Sequence, residues 1–92
     1  MGNEIVFRRK QYVLIKKRDY YMVVNTYKEF SDGHTHIQSK DVGVIMIKNL
    51  VEGKLPETRN VHLLESYLRV ASDKKYKQQI IRLIDNISLG LI

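Results

Sequence analysis

Runs rich in β-branched and aromatic residues fill the first third of the chain, and a helical period replaces them from Ser39 onward. Tyr12 to Lys17 (YVLIKK) and Tyr20 to Phe30 (YYMVVNTYKEF) predict two strands, joined by the short polar turn KKRD. EIVF, Glu4 to Phe7, reads either as a short edge strand or, with RRKQ, as an irregular arm. Asp32-Gly33 is a two-residue hairpin signal, because a type I′ turn needs positive φ at both positions. That turn would pair Ser31 with His34, Phe30 with Thr35, Glu29 with His36 and Lys28 with Ile37. Phe30, Thr35 and Ile37 would then share one face with Tyr20, Met22 and Val24, the core side. Glu29, His34 and His36 would point away from it.

From Ser39 the pattern predicts three helices. Ser39 caps the first, with Asp41 in its first turn and Gly53 as its C′ residue; Val44, Ile47, Leu50 and Val51 fall on one side. A strand over Val42 to Ile47 competes, since VGVIMI is β-branched. Asn60 caps VHLLESYLRVAS, with Val61, Leu64, Leu68 and Ala71 on one stripe. Asp73 caps KKYKQQIIRLIDNIS, with Tyr76, Ile80, Leu83, Ile84 and Ile87 inward. The order is α+β: a three-stranded antiparallel sheet in the N-terminal half, then three helices packed on one face, in one small domain spanning 1–92.

Composition narrows the function classes. The 92 residues are 43% hydrophobic and 28% charged, which suits a folded domain with a thin core. The absence of cysteine excludes disulfides, thiolate metal sites and cysteine nucleophiles. No apolar run approaches the roughly 20 residues a membrane helix needs, and the N-terminus shows no signal-peptide core, so a cytoplasmic location is expected. A net charge of +6 permits binding to nucleic acid or to an acidic protein surface.

The stretch YYMVVNTYKEFSDGHTHIQS resembles short uncharacterised proteins of Gram-positive phages and mobile elements that carry VVNT-x-K-EF-x-x-GHTHI, followed by a LLESYLRVASDKKY-like segment. The resemblance spans about Tyr20 to Leu83 and implies a cytoplasmic accessory protein; it brings no activity and no functional residue with it.

His34 and His36 are the sharpest candidates for chemistry. On a strand, His-x-His puts both imidazoles on one face, which suits two ligands of one zinc ion. Glu29, His62 and Glu65 are the candidates for a third. A metal-independent ribonuclease is the other chemical reading, with the histidines as acid and base and Lys28 or Arg18 steadying the phosphorane. Against both stands a solvated hairpin end carrying a Glu29–His36 cross-strand pair, and that plain reading is preferred: no catalytic residue, no metal and no cofactor is assigned. Glu65 and Arg69, at i and i+4, read as a surface ion pair. No phosphate-cradling glycine loop is present.

Two basic clusters, Arg8-Arg9-Lys10 and Lys16-Lys17-Arg18, flank the first strand, and Tyr12, Tyr20, Tyr21 and Tyr27 interleave with them. Cations beside rings on a sheet are the ingredients of a single-strand nucleic-acid platform, although tyrosines and lysines also serve simply to pack and protect sheet edges. The function expected is that of a non-enzymatic accessory protein binding a host protein or nucleic acid. Its binding residues would be Arg8, Arg9, Lys16, Lys17, Arg18, Glu29, His34 and His36. It would be a monomer or weak homodimer with the apolar LGLI tail at any self-contact, and no membrane partner is expected.

Overall fold

The computed structural model describes residues 3–91. Four strands form one antiparallel sheet: β1 (Glu4–Arg9), β2 (Tyr12–Lys16), β3 (Tyr21–Asn25) and β4 (His34–Ile37), each paired with its neighbour in sequence. Helices α1 (Lys40–Glu52), α2 (Val61–Val70) and α3 (Lys74–Ser88) follow. The α+β class is as the sequence predicts, but the sheet has four strands where three were expected. Glu4 to Arg9 is a full edge strand, not an arm. A β-bulge between Ile5 and Phe7 shifts its register and hides the alternation a strand should show.

The expected hairpin is corrected. β3 ends at Asn25, and an eight-residue loop, 26–33, precedes β4. The observed pairs are Val24–His34, Val23–Thr35, Met22–His36 and Tyr21–Ile37. Asp32 and Gly33 form no type I′ turn; both backbone N–H groups donate to the Glu29 carbonyl, at 3.0 and 2.8 Å, closing a loop that folds back on itself. Gly33 is needed for space: a Cβ there would stand 2.7 Å from the Lys28 Cβ and 3.1 Å from the Asn25 and Glu29 oxygens. The pairing partners of Lys28, Glu29, Phe30 and Ser31 therefore do not exist, and the faces change parity. Tyr21, Val23 and Asn25 share the helix-covered face with Thr35 and Ile37, whereas Met22 and Val24 lie on the histidines' face.

The helix signals hold. Side chains of Ser39, Asn60 and Asp73 accept from the backbone N–H groups of Val42, Leu63 and Tyr76, and Gly53 takes the left-handed C′ position at φ 70°. Val42 to Ile47 is helix, settling the competition with a strand. The caps and the helical burial stripe outweigh β-branched propensity there. α1 lies over β1, β2 and β3, α2 over β3 and β4, and α3 packs on α2. Leu14, Val23 and Ile37 from the sheet meet Met46, Ile47, Leu64, Tyr67, Val70 and Ile80 in one core. Each such side chain contributes about 2 kcal/mol by leaving water.

Asn25 locks the layers together. It is fully buried, and its amide donates to the Val70 carbonyl at 2.8 Å and to the Ser72 hydroxyl, while its Oδ1 accepts from the Tyr27 N–H at 2.9 Å. The end of β3 is thus held to the α2–α3 connection.

Three core tyrosines carry a pH dependence. Burial raises the phenol pKa of Tyr12, Tyr67 and Tyr76 above the ordinary 10.0, and the Asn49 amide, which donates to the Tyr67 hydroxyl at 3.0 Å, only partly offsets it at that site. Because the folded values lie above the unfolded one, this contribution is complete below about pH 10 and is lost as pH rises through the folded values. Urea midpoints should accordingly be level from about pH 8 to 10 and then fall, and Tyr76→Phe should fall less steeply. An identical alkaline fall in that variant would remove Tyr76 from the account.

Candidate functional site

The helices cover one face of the sheet. The other face is built in cross-strand rows: Arg8, Val13, Val24 and His34 form one, and Ile5, Ile15, Met22 and His36 the next. His34 and His36 therefore share a face, as their spacing requires, and that face is turned away from the helices. Four rings run along its β4 side. Phe30 stacks on His34 with centroids 4.1 Å apart and planes 6° from parallel; His34 and His36 are 5.4 Å apart; Tyr20 meets His36 at 4.6 Å. The loop that overturned the hairpin makes this ladder, because it brings Phe30 back over β4. His34 Nδ1 donates to the Phe30 carbonyl at 2.5 Å and fixes the stack. Phe30, expected in the core, is 57% exposed.

The predicted binding residues do not form one patch. Arg8 stands in the row of His34, at the far side of the sheet. Arg9 lies over the Phe7 ring, 4.5 Å from its centroid. Lys16 ends β2 next to Tyr21, and Lys17 and Arg18 lie in the β2–β3 turn, where the Lys17 N–H donates to the Tyr20 carbonyl; the Lys17 ammonium binds the Asn3 side chain. The two basic clusters thus occupy opposite ends of the sheet. Glu29 does not face His36; only its carbonyl is used, in the loop.

A basic cluster that sequence reading did not assemble lies beside the Phe30–His34 end. The Lys28 ammonium donates to the Arg69 carbonyl at 2.9 Å. Burial holds its pKa below the ordinary value; Lys77 and Arg69 lower it further, and Asp32 opposes them. Three cations from a loop and two helices converge there, which no spacing in the chain announces. Arg69 also lines a groove of about 330 Å³ with His34, Thr35 and His36. It was read as the partner of Glu65, but Glu65 meets His62 instead, at 3.6 Å on the exposed side of α2.

Among the described residues no three His, Asp or Glu side chains come together. Both histidines line the groove that Arg69 borders. They stand side by side on one strand, and one ring nitrogen of His34 is engaged with the backbone. Among the described residues no helix is long and apolar enough to cross a membrane. The chain matches no protein-family model, no curated protein and no solved structure.

Proposed function

We propose that the chain is a non-enzymatic binding protein that holds a single strand of nucleic acid along the β4 side of its open sheet face. It would serve as an accessory protein of a phage or mobile element, the setting implied by the resemblance of its VVNT-x-K-EF-x-x-GHTHI stretch. The observation that carries the reading is the ladder Phe30–His34–His36–Tyr20 on a face without helices. Rings offer stacking surface to any base, so such a platform tolerates sequence. Cations stand at both ends of the ladder: Lys28, Arg69 and Lys77 near Phe30, and Arg18 in the turn next to Tyr20. Phosphates would lie on these groups. The net charge of +6 favours the same ligand over an uncharged one.

Fluorescence anisotropy with labelled oligothymidine and oligouridine tests this. Affinity should fall as salt rises, with a logarithmic slope near −0.7 per neutralised phosphate. Phe30→Ala with His34→Ala should weaken binding about 10-fold or more, since a stacked base is worth roughly 1–3 kcal/mol. Absence of binding at low salt, or full affinity in the double variant, would reject the platform. A zinc protein or ribonuclease using His34 and His36 is the alternative; bound zinc in tag-free protein, or shortened oligouridine lost with His34→Ala, would establish it. The exposed Leu89 and Leu91 are the place for a weak self-contact in an otherwise monomeric chain. Ile92 lies outside the described residues.

A further inference from the structure

We infer that the free edge of β4, walled by α2, accepts an extended acidic segment of a partner protein as a fifth strand. The inference rests on backbone geometry and is independent of the ring ladder.

The pairing fixes which backbone groups are free. The Asn25 N–H donates to the Gly33 carbonyl at 2.8 Å, so positions 25 and 33 form a hydrogen-bonded pair. Bonded and non-bonded pairs alternate in an antiparallel ladder. Val23–Thr35 and Tyr21–Ile37 are then bonded, while Val24–His34 and Met22–His36 are not. The N–H and C=O groups of His34 and His36 therefore point away from β3, toward the open edge. The same parity follows on the other side of β3, where the Thr26 and Lys17 N–H groups donate to the Gln11 and Tyr20 carbonyls in register with the β2–β3 pairs. Among the described turn, loop and cap bonds, none uses the amide of His34 or His36.

The two edges of the sheet are unlike. β1 carries a bulge and ends in Arg8 and Arg9, devices that discourage a further strand. β4 has no bulge, no proline, no lysine and no arginine. It is also accessible from the side. The groove of about 330 Å³ is lined by residues of both parities, His34, Thr35 and His36, and by Arg69 of α2, so it wraps the edge rather than one face. A second groove of about 300 Å³ continues along the same edge, with Ile37, Val42 and Leu63 as apolar lining. It is lined by both His36 and His62 of α2. Strand addition takes its affinity from main-chain bonds and its selectivity from side-chain pockets along the edge.

Charge selects the occupant. Arg69 lines the groove, the Lys28 ammonium donates to the Arg69 carbonyl at 2.9 Å, and the charge of Lys77 reaches Lys28. Asp and Glu side chains of an added strand would meet these cations. A second copy of this chain, at +6, would bring the same charge to the same edge.

A labelled seven-residue peptide of alternating valine and glutamate is the probe. The wild-type chain should bind it, and the same peptide with glutamine for glutamate should bind at least several-fold more weakly. His36→Pro removes the outward N–H without touching a β3–β4 bond, a place where a sheet tolerates proline. His36→Ala keeps the N–H and removes the ring. The edge requires that His36→Pro lose the peptide and that His36→Ala, which keeps the N–H, lose at least several-fold less of it. For oligothymidine, the ring ladder predicts instead that both variants weaken, so the two ideas fail separately. Hydrogen exchange gives a second reading should the proline variant not fold: the His34 and His36 amides of the wild type should exchange fast alone and slowly with peptide. Equal peptide binding by both variants, unprotected amides, or a dimer that protects them without peptide would overturn the inference.

Discussion

Asn25→Ala should cost about 3 kcal/mol of stability, because it removes a fully buried amide and leaves the buried Val70 carbonyl without its side-chain partner. The amide of Asn25 is fully buried and bonds the Val70 carbonyl, the Ser72 hydroxyl and the Tyr27 N–H. Truncation leaves the Val70 carbonyl and the Tyr27 N–H without these bonds, and each such loss costs roughly 1–3 kcal/mol. In a chain of this length that lowers the melting temperature by roughly 15 °C. Serine at Ser72 is a useful control: Ser72→Ala removes one partner at an exposed position and should cost far less. Thermal unfolding of the two variants separates them. A loss below about 1 kcal/mol for Asn25→Ala would mean that water replaces its bonds.

Gly43→Val should be as damaging, for the opposite reason. Glycine within a helix ordinarily costs about 1 kcal/mol relative to alanine, so a side chain there would normally help. Here α1 approaches the sheet so closely that a Cβ would stand 2.5 Å from Leu14 Cδ1 and 2.7 Å from Ile37 Cδ1. Leu14 is fully buried in the core, so its methyl groups can shift only by displacing packed neighbours. Overpacking of this kind costs about 1–3 kcal/mol, and valine adds two further methyls and a stiff rotamer to the clash. The urea midpoint should fall with the slope unchanged. A small-to-large exchange that left the midpoint in place would show that α1 can ride outward without loss.

The parts of the fold that depend on neighbouring residues could be read from the sequence. Ser39, Asn60 and Asp73 act within three residues of themselves, and all three cap the helices they predict. The register of β3 against β4 could not be read, because it is set by Asn25 and by partners that lie 45 and 47 residues away. Asp32-Gly33 carried the strongest local signal and misled, since the loop uses Gly33 for close approach rather than for a turn of positive φ. The shared face of His34 and His36 survived that error, because a spacing of two fixes it in any register. The ladder did not show in the sequence: Phe30 joins it only through the fold-back of its loop. The cluster of Lys28, Arg69 and Lys77 is tertiary for the same reason.

The strand order has a consequence for how the chain is made. Every strand pairs with the one just before or after it, so the whole sheet is encoded in the first 37 residues and closes by short loops. During synthesis the N-terminal segment emerges first, and its hairpins can form while the helices are still unmade. Leu14, Val23 and Ile37 then wait uncovered, and Asn25 has no carbonyl to bind until Val70 has left the ribosome. The interval between those two events is when this protein most exposes apolar surface, and its length is set by the 33 residues from Gln38 to Val70.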